Sequence, residues 1–255
     1  MRLPTGETLR GDCAGPRDWA VVYVHGFGSH RAGEKAASLA TECARRGIAF
    51  AAFDFRGHGE TGGLMRALTA SRLLEDLSAI RRFLAERGYT RLGLVGSSMG
   101  GFASAWFAVR HPEAILGCVL IAPAFRFLHR RWEELTPEER DEWARTGVRR
   151  VRNEWVDVEI GYGLVEERAA FDPAELARRW RTPLLILHGL ADEVVPVTDT
   201  LAFVEAAACP DVELRLYKAG DHRLTPFKDE IATEACRFLG GLPVKTSSPD
   251  RSRHG

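Results

Sequence analysis

The sequence predicts an α/β protein with a mostly parallel central sheet and helices on both faces. Three observations carry that expectation. Apolar runs of strand length recur along the chain, stretches of helix length with an apolar stripe separate them, and glycine-rich loops follow several of the runs. Runs that are apolar throughout suit strands buried on both faces, and their alternation with helices marks βαβ units. The 255 residues, 45% of them apolar, can bury a full core and fit one domain carrying an insertion.

In chain order, the opening MRLPTGETLRGDC is hairpin-like and predicts antiparallel edge strands. Residues 19–24 (WAVVYV) read as a buried strand, followed by a glycine loop and an amphipathic helix over 33–46. Residues 48–53 (IAFAAF) form the next strand, and a helix spans 69–87. Residues 91–96 (RLGLVG) lead into a helix over Met99–Arg110. Strands at 116–122 and 184–187, a helix near 199–208, a strand at Val212–Tyr217 and a helix over 226–239 complete the series.

One interval breaks this rhythm. From Ala124 to Thr182 no buried-strand pattern occurs. Thr136-Pro137-Glu138-Glu139 is a capping box with proline at the first helical position, and Gly147 suits the helix stop. Residues 148–161 alternate with period two and suggest a hairpin; Asp172-Pro173 opens another helix. The expected layout is a core of residues 1–124 and 182–240, a lid over 125–181, and a flexible tail over 241–255. Open α/β sheets place ligands at the carboxyl edge, where such a lid would sit.

Composition narrows the function classes. With 35 basic and 35 acidic residues the net charge is zero, which argues against nucleic acid or an anionic membrane as partner. The five cysteines are scattered without CxxC spacing, as expected of small core residues in a reducing compartment. No run approaches a membrane span and the first residues lack an apolar signal core, so stable membrane insertion is not expected and a cytoplasmic location is.

The chemistry concentrates in LVGSSMGG, residues 94–101, which matches G-x-S-x-G as Gly96-Ser97-Ser98-Met99-Gly100. In a strand–turn–helix elbow the middle serine takes a positive φ, and the positions two before and two after must be tiny. Gly96 and Gly100 meet that demand around Ser98; Val95 and Met99 fail it around Ser97. A phosphate-cradling loop would need a different glycine pattern or a Gly-Lys-Ser/Thr. Ser98 is therefore the expected nucleophile. Its base and orienting acid should follow in the order Ser, acid, His on loops after later strands. Asp192 in HGLADEVVP and His222 in KAGDHRL fill those slots; Glu193 and Asp221 are rivals that fit the loop spacing less well. The backbone N–H groups of Met99 and of Phe27, in the His25-Gly26-Phe27-Gly28 loop, are the expected oxyanion donors. His25, the Asp54/Arg56/His58 loop and His188 are expected to be structural, the loop's Asp, Arg and His pairing locally.

The motifs HGFG, DFRGHGET, GSSMGG, HGLADEVVP and GDHR, in this order over residues 25–223, resemble the α/β-hydrolase superfamily. The resemblance implies a Ser98–His222–Asp192 triad and neither metal nor organic cofactor. Within it, CPDVELRLYKAGDHRL and the moderate insertion look most like the palmitoyl-protein thioesterases also described as acyl-glucuronide esterases, and their bacterial carboxylesterase relatives. The expected activity is serine carboxylic-ester hydrolysis through an acyl-enzyme on short-to-medium small-molecule acyl esters. Thioesters are the alternative, and a non-catalytic ligand sensor is a more distant one. An acyl pocket needs apolar walls, so Phe125, Phe127, Trp132, Trp143, Trp155 and Tyr162 of the insertion are expected to line it. Nothing in the sequence speaks to oligomeric state.

Overall fold

A computed structural model describes residues 1–152 and 156–243. Seven strands form one sheet in the order β1 (Gly11–Ala14), β3 (Ala49–Phe53), β2 (Asp18–Val24), β4 (Tyr89–Ser97), β5 (Ile115–Ile121), β8 (Leu184–Gly189) and β9 (Val212–Tyr217). Only β1 runs antiparallel, pairing with β3 from Gly11 opposite Phe53 to Ala14 opposite Phe50. The hairpin-like opening thus supplies the antiparallel edge. The central strands are apolar because both faces are covered: every residue of β5 and β8 is buried.

Helices α1 (Glu34–Arg45) and α9 (Lys228–Gly240) cover one face, burying Leu39, Cys43, Ile231 and Leu239 against Val95, Val119 and Leu187. On the other face α2 (Ala70–Ala85), α3 (Met99–Arg110) and α8 (Val197–Ala206) pack Leu73, Leu77, Phe102, Trp106 and Phe203 against Val22, Leu94, Leu120 and Ile186. Each such large apolar side chain contributes roughly 1.5–3 kcal/mol when withdrawn from water. The helix expected over 199–208 begins two residues earlier, at Val197, directly after Pro196. Among the described residues, no helix is long and apolar enough to cross a membrane.

Between β5 and β8 lie α4 (Phe127–Glu133), α5 (Pro137–Thr146), the hairpin β6 (Val148–Arg152) and β7 (Asp157–Gly161), α6 (Gly163–Glu166) and α7 (Pro173–Arg179). The capping box is formed, Thr136 accepting from the Glu139 amide and Glu139 from the Thr136 amide, and Gly147 stops α5 at φ 74°. Trp143, Tyr162 and Trp132 pack ring on ring at 6.0 and 6.1 Å, and the buried Trp143 joins this segment to the apolar core that also holds Phe102 and Trp106. The hairpin rests on the core: a Cβ at Gly161 would strike the Arg66 carbonyl, and one at Gly28 would strike Val156. Of the tail expected over 241–255, residues 244–255 lie outside the described residues.

Candidate active site

Strand β4 ends in a turn so tight that Ser98 holds φ 54° and ψ −115°. A non-glycine residue there is strained by about 1–3 kcal/mol, so its surroundings must hold it. They do so by close packing. A Cβ at Gly96 would lie 2.5 Å from the Gly100 carbonyl oxygen, and one at Gly100 would overlap the Val24 carbonyl. The Ser98 amide donates to the Ile121 carbonyl at 2.9 Å, and its own carbonyl accepts from Ala124 at 3.2 Å. Ser97, by contrast, is the last residue of β4, in register with Ile121.

The loops after β8 and β9 bring the partners. His222 Nε2 lies 3.0 Å from Ser98 Oγ, and His222 Nδ1 lies 2.8 Å from Asp192 Oδ2. The two loops are stapled together: Ala191 donates to the Gly220 carbonyl at 2.9 Å, Leu190 to that of Tyr217 at 2.9 Å, and a Cβ at Gly189 would clash with Gly220. Lys35, reaching from α1, donates to the Arg223 carbonyl at 2.7 Å and ties the His222 loop to the other wall. Asp221 is spent on its own loop, accepting from the Leu224 amide at 2.8 Å.

Asp192 makes more contacts than the one to His222. Its Oδ1 accepts from the amides of Val194 and Val195 at 2.9 and 2.8 Å. Its Oδ2 is shared between His222 and His188, whose Nε2 stands 3.1 Å away. Burial opposes the charge, but the hydrogen bonds from His188 and His222 outweigh it and hold the carboxyl far below its usual range. His188 is fully buried, with Nδ1 2.8 Å from Thr200 Oγ1 and Nε2 also 3.0 Å from the Val195 carbonyl. An Nε2–H tautomer that accepts from the threonine hydroxyl satisfies all three contacts. A histidine at a strand end carries no sequence signal for this contact, because its partner arrives only when the loop turns back.

The glycine loop after β2 lies against the serine, a Cβ at Gly26 falling 3.4 Å from Ser98 Cβ. His25 shapes this loop: its Nδ1 meets the Gly26 carbonyl at 2.8 Å and its Nε2 accepts from the Phe55 amide at 3.1 Å. Burial pushes this imidazole down to about 3, so it stays neutral. Among the described residues, neither the Phe27 nor the Met99 amide has a protein acceptor. Asp54 and Arg56 do not pair with each other. Asp54 takes Arg31 at 2.7 Å and Arg56 takes Asp76 at 2.6 Å, because the loop splays its side chains to opposite sides. His58 keeps to the loop, its Nδ1 3.2 Å from the Arg56 carbonyl.

A cavity of about 730 Å³ opens over Ser98 and His222. From the insertion it is lined by Phe127, Arg126, Arg130, Arg131, Glu134, Val151 and Val156. Of the five expected aromatics among the described residues, Phe127 alone is found in its lining. Phe125 stacks on Phe203 at 4.0 Å in the core, and Trp132, Trp143 and Tyr162 pack on one another. Trp155 lies outside the described residues. Among the described residues, no cluster of three or more His, Cys, Asp or Glu could hold a metal ion.

The sheet order, the elbow and the acid and histidine loops define an α/β hydrolase. The profile of the serine aminopeptidase, S33, hydrolase family matches residues 15–158 and 150–226, and the chain belongs to that family. The mouse palmitoyl-protein thioesterase ABHD10, mitochondrial, is 28% identical over 207 residues, 80% of this chain and 69% of that protein. The solved structure of mouse ABHD10 aligns with a TM-score of 0.80 at 25% identity, over 93% of this chain and 94% of that one. A hydrolase-like protein from Agrobacterium vitis S4 aligns at 0.81 and 29% identity over 94% and 95%. A non-heme chloroperoxidase, CPO-A1, from Kitasatospora aureofaciens is 25% identical over 88% of this chain and 94% of its own.

Proposed function

We propose that this hydrolase cleaves carboxylic esters by a serine mechanism. The continuous line Ser98 Oγ–His222 Nε2 (3.0 Å) and His222 Nδ1–Asp192 Oδ2 (2.8 Å) carries the reading. Neutral His222 takes the Ser98 proton as Oγ bonds to the acyl carbon, and Asp192 stabilises the imidazolium. The carbonyl oxygen becomes an oxyanion facing the free amides of Phe27 and Met99. As the C–O bond to the alcohol breaks, His222 returns the proton to the leaving oxygen. Water then attacks the acyl-enzyme by the same route, releasing the acid and restoring Ser98.

The insertion over 125–181 acts as the lid in this reading, since Val156 lies against Gly28 and Phe127 lies 6.2 Å from the Phe27 ring. The apolar side chains lining the cavity, Phe27, Ala124, Phe127, Val151, Val156, Val194 and Val195, share its walls with five arginine and lysine side chains and three carboxylates. That favours short-to-medium acyl groups. Thioesters are the second reading, favoured by the thioesterase name of the mouse relative; the same steps apply, with the C–S bond breaking and His222 returning the proton to the leaving sulfur. A panel of p-nitrophenyl esters from acetate to palmitate, run beside acyl-CoA and S-acyl peptides, tests both. Turnover of ester or thioester that is lost in Ser98→Ala supports the mechanism; turnover that survives in Ser98→Ala refutes it.

A further inference from the structure

The cavity over Ser98 holds more positive charge than its own carboxylates neutralise. Arg130 is taken by Asp199 at 2.7 Å, and Arg126 by Glu133 at 2.7 Å. Arg131 differs. Among the described residues no carboxylate lies within 4.0 Å of it, and its buried Nε has no acceptor. Glu134 also lines the cavity and is the carboxylate whose charge reaches Arg131, but it stands beyond ion-pair distance and is exposed. The Arg131 guanidinium lies 4.4 Å from the Phe27 ring centre and 4.7 Å from that of Phe127. Burial lowers this group to about 10, which leaves it a cation at neutral pH.

Such a cation is partly buried, stacked on two rings and, among the described residues, not paired with an anion, an arrangement that costs free energy until an anion arrives. The planar fork of arginine suits carboxylate and phosphate oxygens. Its place relative to the chemistry is set by Phe27, whose ring it covers and whose neighbour Gly26 lies so near Ser98 that an added Cβ would come within 3.4 Å of the serine Cβ. We propose that Arg131 is a specificity residue selecting esters or thioesters that carry an anionic oxygen group, carboxylate or phosphate, close to the scissile bond. This selection rests on the serine-hydrolase reading above, and it makes the preferred substrate an acidic one.

Matched pairs test the proposal. On the acyl side, p-nitrophenyl hemiglutarate is compared with p-nitrophenyl valerate; on the leaving side, 2-(butyryloxy)ethyl phosphate is compared with 2-methoxyethyl butyrate. In the wild-type protein the anionic member of at least one pair should exceed its neutral partner in kcat/KM by roughly 10- to 100-fold. Arg131→Met, which keeps an apolar stem on the rings, should abolish that excess, and Arg131→Lys should retain part of it. Which pair responds tells whether carboxylate or phosphate is bound. Neutral esters turned over with no anionic preference would overturn this inference alone. So would a preference that survives Arg131→Met, or equal losses for both members, which would make Arg131 only a clamp on Phe27. If no ester or thioester is turned over, the hydrolase reading fails by itself; glutarate binding by calorimetry then decides the inference, supported if Arg131→Met weakens it tenfold and refuted if both proteins bind alike.

Discussion

Ser98 sits at φ 54° because glycines at 96 and 100 leave room for the turn, and that demand was legible in the sequence as two tiny residues flanking one of two serines. Ser98→Ala should lower kcat roughly 10³-fold or more with the fold intact, while Ser97→Ala should be mild, as ester assays and circular dichroism will show. The shared contact of His188 on Asp192 was not legible, since no local pattern marks it. His188→Leu should lower kcat about tenfold with little change in KM, and His188→Gln, which keeps an N–H donor, should recover part of the loss. Active-site titration separates this from instability: a purely structural role would reduce the number of active sites and leave kcat per site unchanged.

At the scale of elements, the insertion separates what pattern can and cannot tell. Its capping box, its Gly147 stop and its hairpin were readable because each depends on neighbours in sequence. Which aromatic faces the cavity depends on tertiary packing, and Phe125, Trp132, Trp143 and Tyr162 pack with the apolar core instead. Helix α4, which carries Arg130 and Arg131 to the cavity, begins at Phe127 after an Arg126 cap that makes no side-chain hydrogen bond, and so left no start signal. The two roles have different consequences. Trp143→Ala should destabilise by about 3–5 kcal/mol, measured by urea unfolding, and leave the chain-length profile in place. Phe127→Ala should move the optimum toward longer acyl chains, and Val156→Trp toward shorter ones. If none of these wall substitutions shifts the profile, the insertion is a surface excursion and not a lid.

For the whole molecule, the alternation of strand and helix was enough to infer the parallel sheet, because a strand covered on both faces must be apolar throughout. The strand order came only from the fold; the meeting of residues 98, 192 and 222, expected from their places after later strands, is made by the fold, which gathers three loops at one sheet edge. That gathering also ties stability to pH. Folding lowers the Asp192 carboxyl from its ordinary 3.8, so its contribution is in full above that value and is lost as pH falls further. A melting-temperature series should therefore show Asp192→Asn flattening the limb between about pH 4 and pH 2. The most direct test of the account is covalent labelling of the full chain by a fluorophosphonate probe, with the adduct mapped by mass spectrometry. A single adduct at Ser98, retained in Ser97→Ala and lost together with ester turnover in Ser98→Ala, is the predicted result; an adduct on Ser97 or any other serine, or turnover that persists in Ser98→Ala, would contradict it.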